Sequence, residues 1–185
     1  MRALLQTLVI TLIVAGVALP ADAADEAPPR PAHELVELRD LLDAVSKAEG
    51  KDFLVDRRVQ ASVVIGTLSL RDVDYAAFLS ILRNNDLAAV DGKDIVRVIP
   101  VAYVRQSPLP ILRDSDSSLP ADAWVARILM LKNTAAPPMV PILRPMVPQQ
   151  GHLVATADTL LIVAPYGVTE QLAEIAQTLD VASRD

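Results

Sequence analysis

The chain has 185 residues, a formal net charge of −6, no cysteine and only 3% aromatic residues. The absence of cysteine excludes disulfides, thiolate metal sites and cysteine nucleophiles, and the net negative charge disfavours nucleic acid as a partner. A chain of this length suits one or two small domains, and the cores must be built mainly from aliphatic side chains.

The amino terminus has the pattern of a secretory signal peptide over residues 1–23. Arg2 gives a positive start, residues 3–19 form an apolar run, and Pro20 precedes the small-x-small motif ADA. A retained membrane anchor is the alternative, but the run is short of the ~20 residues that cross a bilayer. We therefore expect export, to the periplasm if the source is a Gram-negative bacterium, with residues 24–33 as a proline-containing tether.

A first block, residues 34–100, begins with a predicted helix. Its apolar stripe has the three- and four-residue spacing of a helix that faces a core and consists of Leu35, Leu38, Leu41, Leu42 and Val45. Gly50 is the expected end, because glycine readily adopts the left-handed conformation found there. Residues 53–55 predict a short strand. Residues 63–70 predict extended chain whose alternation changes phase, which indicates either a bulge near Gly66 or two short strands joined by a bend.

The second helix of this block has clear local signals. Asp74 is the predicted cap, and Val73 and Phe78 stand at the positions of a hydrophobic staple. The buried stripe is predicted to contain Tyr75, Phe78, Leu79 and Leu82. Residues 88–90 and 95–99 then flank Asp91-Gly92 and predict a β-hairpin.

A linker is predicted over residues 101–122, in which residues 101–104 extend the preceding strand and residues 114–118 are polar. A second block follows over residues 123–181, with strands at 124–131, 152–155 and 160–164.

Its first helix is expected to be short, because Pro137, Pro138, Pro141 and Pro145 crowd it. Its last helix is predicted to start at Thr169 as the cap and to bury Leu172, Ile175 and Leu179. The order is β-α-β-β-α, and the whole chain is predicted to be α+β.

No set of catalytic, cofactor-binding or metal-binding residues can be named. His33 and His152 lie in different segments without a set of carboxylate partners, and no G-x-S-x-G motif is present. Interface candidates are Arg57, Arg58 and Arg71, for which the alternative is a set of solvated turn residues. Trp124, the single tryptophan, either covers the edge of a core or is an exposed interface anchor.

Several segments together resemble the amino-terminal periplasmic region of secretins. For the first domain of that region the segments are ELRDLL at 37–42, GKDFLVD at 50–56, LSLRDVDY at 68–75, LRNNDL at 82–87 and IVRVIP at 95–100. For the next domain they are ILMLKNT at 128–134, VPILRPM at 140–146 and DTLLIV at 158–163. Each motif alone is weak, but their order behind a signal peptide is fairly specific.

The resemblance implies a first domain like the short amino-terminal domain of secretins and TonB-linked receptors over residues 34–100, and a K-homology-like secretin short domain over residues 123–181. In the family these domains stack as periplasmic rings under an outer-membrane pore. The family's first strand is replaced here by PRPAHE at 29–34, so we expect that strand to be vestigial. No pore-forming region is expected within these residues. The G-x-x-G loop with which K-homology domains bind RNA is also absent, so RNA binding is not expected.

The sequence therefore predicts a non-enzymatic periplasmic module without a cofactor or a small-molecule substrate, which acts by protein–protein contact in a type II secretion or type IV pilus apparatus. Expected partners are a secretin, an inner-membrane secretion component, or further copies in a ring-like homo-oligomer. Two roles stay open: substituting for domains that a shortened secretin lacks, or regulating assembly. The alternative is a signalling module that binds a TonB-like or anti-sigma partner.

Overall fold

The computed structural model describes residues 34–92, 94–113 and 119–181. They fall in one compact unit. The signal peptide, the tether with His33, and the polar stretch 114–118 lie outside the described residues. Within the described residues, no helix is both long and apolar enough to cross a membrane.

Nine strands and four α-helices make up the described chain. They are β1 (Glu34–Glu37), α1 (Leu38–Glu49), β2 (Asp52–Val55), β3 (Ser62–Gly66), α2 (Tyr75–Asn84), β4 (Leu87–Asp91), β5 (Ile95–Pro100), β6 (Ile111–Leu112), β7 (Trp124–Met130), α3 (Val140–Leu143), β8 (His152–Thr156), β9 (Thr159–Pro165) and α4 (Tyr166–Leu179). Short 3₁₀ segments lie at Leu70–Asp72, Val101–Gln106, Pro137–Met139 and Arg144–Met146. The α+β prediction is confirmed.

The strands form three sheets, in the orders β1-β3, β2-β5-β4 and β6-β7-β9-β8. In the second sheet β2 runs parallel to β5, while β4 and β5 form the predicted antiparallel hairpin. In the third sheet β7, β8 and β9 are antiparallel, and β6 adds a short parallel edge to β7. The second block has the predicted order β-α-β-β-α.

Both helices of the first block follow their local signals. Leu38, Leu41, Leu42 and Val45 are buried along α1. Gly50 adopts the left-handed conformation with φ of 65° and donates its N–H to the Ser46 carbonyl, as predicted. At the start of α2 the Asp74 carboxylate accepts the Ala77 N–H at 2.7 Å.

The structure of residues 34–37 corrects two predictions. Leu35 is not part of the α1 stripe: it lies in β1 and its side chain is 65% exposed. The first strand is also not vestigial, because β1 pairs antiparallel with β3. The spacing from Leu35 to Leu38 fits a helix equally well. Glu37, however, has extended backbone with ψ of 132°, and pairing with a strand 25 residues further on decides the outcome.

The pairing of β1 and β3 is irregular near Gly66, where the sequence suggested a bulge. The β1–β3 register shifts between Glu34 and Leu35, which pair with Gly66 and Val64, and Gly66 has φ of 70°. The extended prediction fails beyond that point, since the chain turns through the 3₁₀ segment Leu70–Asp72.

The predicted linker contains ordered elements. Residues 101–104 do not extend β5; they belong to the 3₁₀ segment Val101–Gln106, which turns Val104 fully into the protein. Further along, β6 adds itself to the third sheet, with Ile111 opposite Ala126.

In the second block, the prolines shorten the first helix as predicted, and α3 has only four residues between two 3₁₀ segments. The cap of the last helix was predicted wrongly. The helix begins at Tyr166, directly after Pro165, and buried Thr169 lies inside it, donating its hydroxyl to the Tyr166 carbonyl at 2.8 Å. Leu172 is buried, but Leu179 is 40% exposed; Ala173 and Ala176 complete the buried face.

The carboxyl end of α4 is joined to the loop after β7 by Asp180. Its carboxylate accepts the backbone N–H of Lys132 at 2.5 Å, and those of Asn133 and Thr134 at 2.8 Å. These bonds, that from Lys132 most strongly, lower the pKa of Asp180.

Three groups of buried side chains hold the fold together. One lies under α1 and α2 in the first block, and another lies between α4 and the third sheet in the second block. The third joins the blocks and consists of Ala88, Val90, Ile99, Val104 and Trp124. Two cores of ordinary aliphatic composition are therefore connected by a smaller shared cluster.

Candidate functional site

Two edge strands of the first block present apolar side chains to solvent. Leu35 on β1 is 65% exposed, and Leu54 on β2 is 57% exposed. β1 pairs only with β3, and β2 pairs only with β5, so each has a side without a strand neighbour among the described residues. Such edges can pair with a strand of another protein.

The edge of β3 that faces away from β1 is partly closed by a side chain. The amide of Asn85 accepts the Val64 N–H at 2.8 Å and donates to the Val64 carbonyl at 2.9 Å. It also donates to the Ile81 carbonyl at 2.8 Å, which fixes it at the end of α2. The side chain therefore replaces one residue of a neighbouring strand. The sequence prediction missed Asn85; its position just after a helix that precedes a strand is the available signal.

The predicted arginines do not gather in one place. Arg57 and Arg58 are exposed in the turn before β3, and Arg71 is exposed in the 3₁₀ segment after it. Arg58 is the most constrained: its Nε lies 3.5 Å from the Asp56 carboxylate, and its guanidinium carbon lies 4.3 Å from the centre of the Tyr103 ring. Arg58 therefore presents an oriented positive charge.

Trp124 lies inside the protein, with 5% of its surface exposed. It packs in the cluster that joins the blocks, against side chains of β4 and β5. Nearby, Asp122 ties the start of β7 to α2, because its carboxylate accepts the hydroxyl of Ser80 and the guanidinium of Arg83, both at 2.5 Å. The structure thus places Trp124 as a cover between the blocks.

A cavity of about 340 Å³ lies beside Trp124. Its polar lining is satisfied internally: the Tyr75 hydroxyl donates to the Asp91 carboxylate at 2.5 Å, and the Lys51 Nζ lies 4.0 Å from the centre of the Tyr75 ring. Burial, and then the bond to Asp91, raise the pKa of Tyr75. A tyrosine in this state keeps its proton and acts as a hydrogen-bond donor.

Part of one face of the third sheet is exposed to solvent. Ile128, Leu161 and Val154 form a row across β7, β9 and β8, and Met130 lies further along β7. Met130, Val154 and Leu161 are 59%, 44% and 36% exposed. The opposite face of the sheet packs on α4, so this row is an apolar surface without an intramolecular cover in the described part of the chain.

Among the described residues, no group of three or more His, Cys, Asp or Glu side chains could hold a metal ion. His152 is exposed at the start of β8. What the described residues offer is a set of strand edges and an apolar sheet face.

The chain is similar in sequence to known secretins. The chain is 28% identical over 148 residues to secretin XcpQ of Pseudomonas aeruginosa, covering 78% of this chain and 21% of XcpQ. It is 30% identical over 159 residues to the putative secretin GspD of Escherichia coli K12, covering 78% and 23%. Residues 33–98 match the family model described as GspD-like, N0 domain. Residues 33–98 therefore resemble the N0 domain of GspD-like secretins.

The secretin similarity continues beyond the N0 domain. A solved type II secretion outer membrane complex of Klebsiella pneumoniae, with PulD, PulS and the PulC HR domain, has a related fold with a TM-score of 0.65 over 81% of this chain and 26% of that chain, at 20% identity. The predicted relation to the amino-terminal region of secretins is confirmed. The chain spans about a fifth of the length of the curated secretins that it matches.

Proposed function

We propose that this protein is a non-enzymatic, periplasmic protein–protein interaction module of a type II secretion or type IV pilus apparatus, which supports protein secretion. The observation that carries the proposal is the pair of open apolar strand edges, β1 and β2, on a domain that resembles the N0 domain of secretins. In this proposal residues 1–23 direct export, and the working domains are residues 34–100 and 123–181.

The first domain makes contact with a different protein. An open edge offers unpaired N–H and C=O groups, and the exposed side chains beside it add specificity. Leu35 on β1 and Leu54 on β2 are the exposed apolar side chains at these edges. The partner is a secretin or an inner-membrane secretion component.

The second domain makes contact with copies of itself. The row of Ile128, Leu161 and Val154, with Met130 beside it, is a flat apolar surface of the kind that marks an interaction site. Packing of neighbouring copies through this face would give a ring-like homo-oligomer.

Site-specific photo-crosslinking in envelopes of the source bacterium tests the proposal. A photoreactive amino acid is placed at Leu35, at Leu54 or at Met130 of the full chain. The matched control is Lys47, which is exposed on α1 away from any strand edge. We expect Leu35 or Leu54 to capture a secretion component, Met130 to capture a second copy, and Lys47 to capture neither.

The activity readout is export of a secreted protein after deletion of the gene. We expect reduced export, restored by the wild-type chain. If all three positions yield free monomer alone and export is unaffected by deletion, the proposed function is wrong.

A further inference from the structure

A polar groove of about 280 Å³ lies between the edges of β3 and β4. One wall is formed by Arg58, Gln60 and Ser62, and the opposite wall includes Asn85, Asp86 and Leu87. The groove is separate from the outer edges of β1 and β2.

The backbone of Ser62 faces this groove. In the β1–β3 ladder, Val36 pairs with Val63, and the Leu38 N–H bonds the Ala61 carbonyl at 2.6 Å. In an antiparallel ladder, alternate residues point their N–H and C=O groups to opposite sides. Val64 points away from β1, since Asn85 takes both of its groups. Ser62 has the same phase, so its N–H and C=O point to the same side as those of Val64.

Asn85 leaves the Ser62 position open. Its amide covers Val64, two residues further along β3. No described residue donates to or accepts from the backbone of Ser62 on that side. A donor and an acceptor side by side suit another polypeptide backbone better than a free anion or an apolar molecule, because an extended backbone supplies a C=O and an N–H at this spacing.

The charges at the groove restrict the side chains of such a peptide. Arg58 is about half exposed, at 49% of its side chain. Its Nε faces the Asp56 carboxylate at 3.5 Å and its guanidinium is held over Tyr103, so a ligand carboxylate would bind the other guanidinium nitrogens. Exposed Asp86 lies on the opposite wall. The complementary ligand therefore carries an acidic side chain for Arg58 and a basic side chain for Asp86.

We propose that this groove binds an extended segment of a partner protein, which pairs with the backbone of Ser62 and places an acidic side chain on Arg58 and a basic one at Asp86. The proposal rests on the proposed function, because it assigns a second docking position to the same interaction module. The segment lies at the inner edge of β3 and leaves the edges of β1 and β2 free.

Fluorescence anisotropy with the full chain tests the groove. The probe is a set of fluorescein-labelled eight-residue peptides of alternating Val and Thr, with one Glu and one Lys at fixed positions. Matched peptides carry Gln in place of Glu, or an N-methyl group on the central backbone nitrogens. We expect the Gln peptides to bind about three- to fivefold more weakly, as for an exposed ion pair, and the N-methyl peptides to show no measurable binding.

A charge swap gives the sharper test on the protein. Arg58→Glu is expected to weaken the binding of the Glu peptides at least as much as replacing the Glu of the peptide by Gln does. A further set of peptides, with Lys in place of Glu, is expected to bind Arg58→Glu more tightly than it binds the wild type. Arg71→Glu is the matched control, because Arg71 is an exposed arginine beyond the other end of β3; it is expected to leave binding unchanged.

The proposal is overturned if no peptide of the set binds, if N-methylation has no effect, or if Arg58→Glu and Arg71→Glu behave alike. These outcomes are distinct from a failure of the proposed function. If Leu35 or Leu54 crosslinks to a partner but no peptide binds, only the groove proposal is wrong. Free monomer at every crosslinking position instead contradicts the proposed function.

Discussion

The burial of Trp124 predicts a large loss of stability when its side chain is removed. Trp124 is 5% exposed and packs in the cluster that joins the two blocks. Replacing a buried Trp by Ala costs ~3–5 kcal/mol. Since each kcal/mol lowers the Tm of a protein of this size by ~2–4 °C, Trp124→Ala is expected to lower the Tm by about 6–20 °C.

Thermal unfolding followed by circular dichroism measures this shift. Ile111→Ala is the matched control, because Ile111 is also a large apolar residue but is 62% exposed on β6; such surface changes stay within ~0.5 kcal/mol. Trp124 is the single tryptophan, so its fluorescence in the wild type should be poorly quenched by acrylamide until the protein unfolds. A shift for Trp124→Ala no larger than that of the control, or free quenching in the native state, would refute the buried position.

Three further changes test local features. Asp74→Ala removes the α2 cap and is expected to cost ~1 kcal/mol in chemical denaturation, while Asp43→Ala on the exposed side of α1 has little effect; equal values would contradict the cap. Asn85→Ala leaves the part-buried backbone of Val64 unpaired and is expected to cost ~1–3 kcal/mol, with faster hydrogen exchange at the Val64 amide; unchanged exchange would be inconsistent with the bond. The pKa of Asp180 is lowered in the folded protein, so its stabilisation is present above the unfolded pKa near ~3.9 and is lost as pH falls through the folded pKa. Asp180→Asn should therefore lower stability at neutral pH, and the difference from wild type should shrink below about pH 4; a constant difference in denaturation across that range argues against the assignment.

The features that sequence reasoning predicted correctly are those fixed by short-range chemistry. Gly50 ends α1 because its left-handed backbone suits glycine, and Asp74 starts α2 because a carboxylate can accept an N–H three residues later. The prolines around α3 shorten it for an equally local reason. The secretin resemblance worked at the same level, since its motifs combine core spacing with turn residues.

The features that were missed depend on partners distant in the chain. The spacing of Leu35 suits a helix until β3 is available for pairing, and Ile111 joins a strand only because β7 lies beside it. Trp124 could not be assigned to core or surface, because its cover comes from β4 and β5 of the other block. Thr169 has the chemistry of a cap, yet the helix starts three residues earlier, after Pro165.

The contact between Asn85 and Val64 also bears on aggregation. Val63, Val64 and Ile65 are three consecutive β-branched residues, a composition that favours the stacked sheets of amyloid fibrils. Fibril growth needs several adjacent backbone positions along one strand, and the amide of Asn85 occupies the middle of this one. Only a short stretch at Ser62 stays accessible, which is too little to template a growing fibril. β1 covers one edge of this β-branched segment, and a single side chain protects the other.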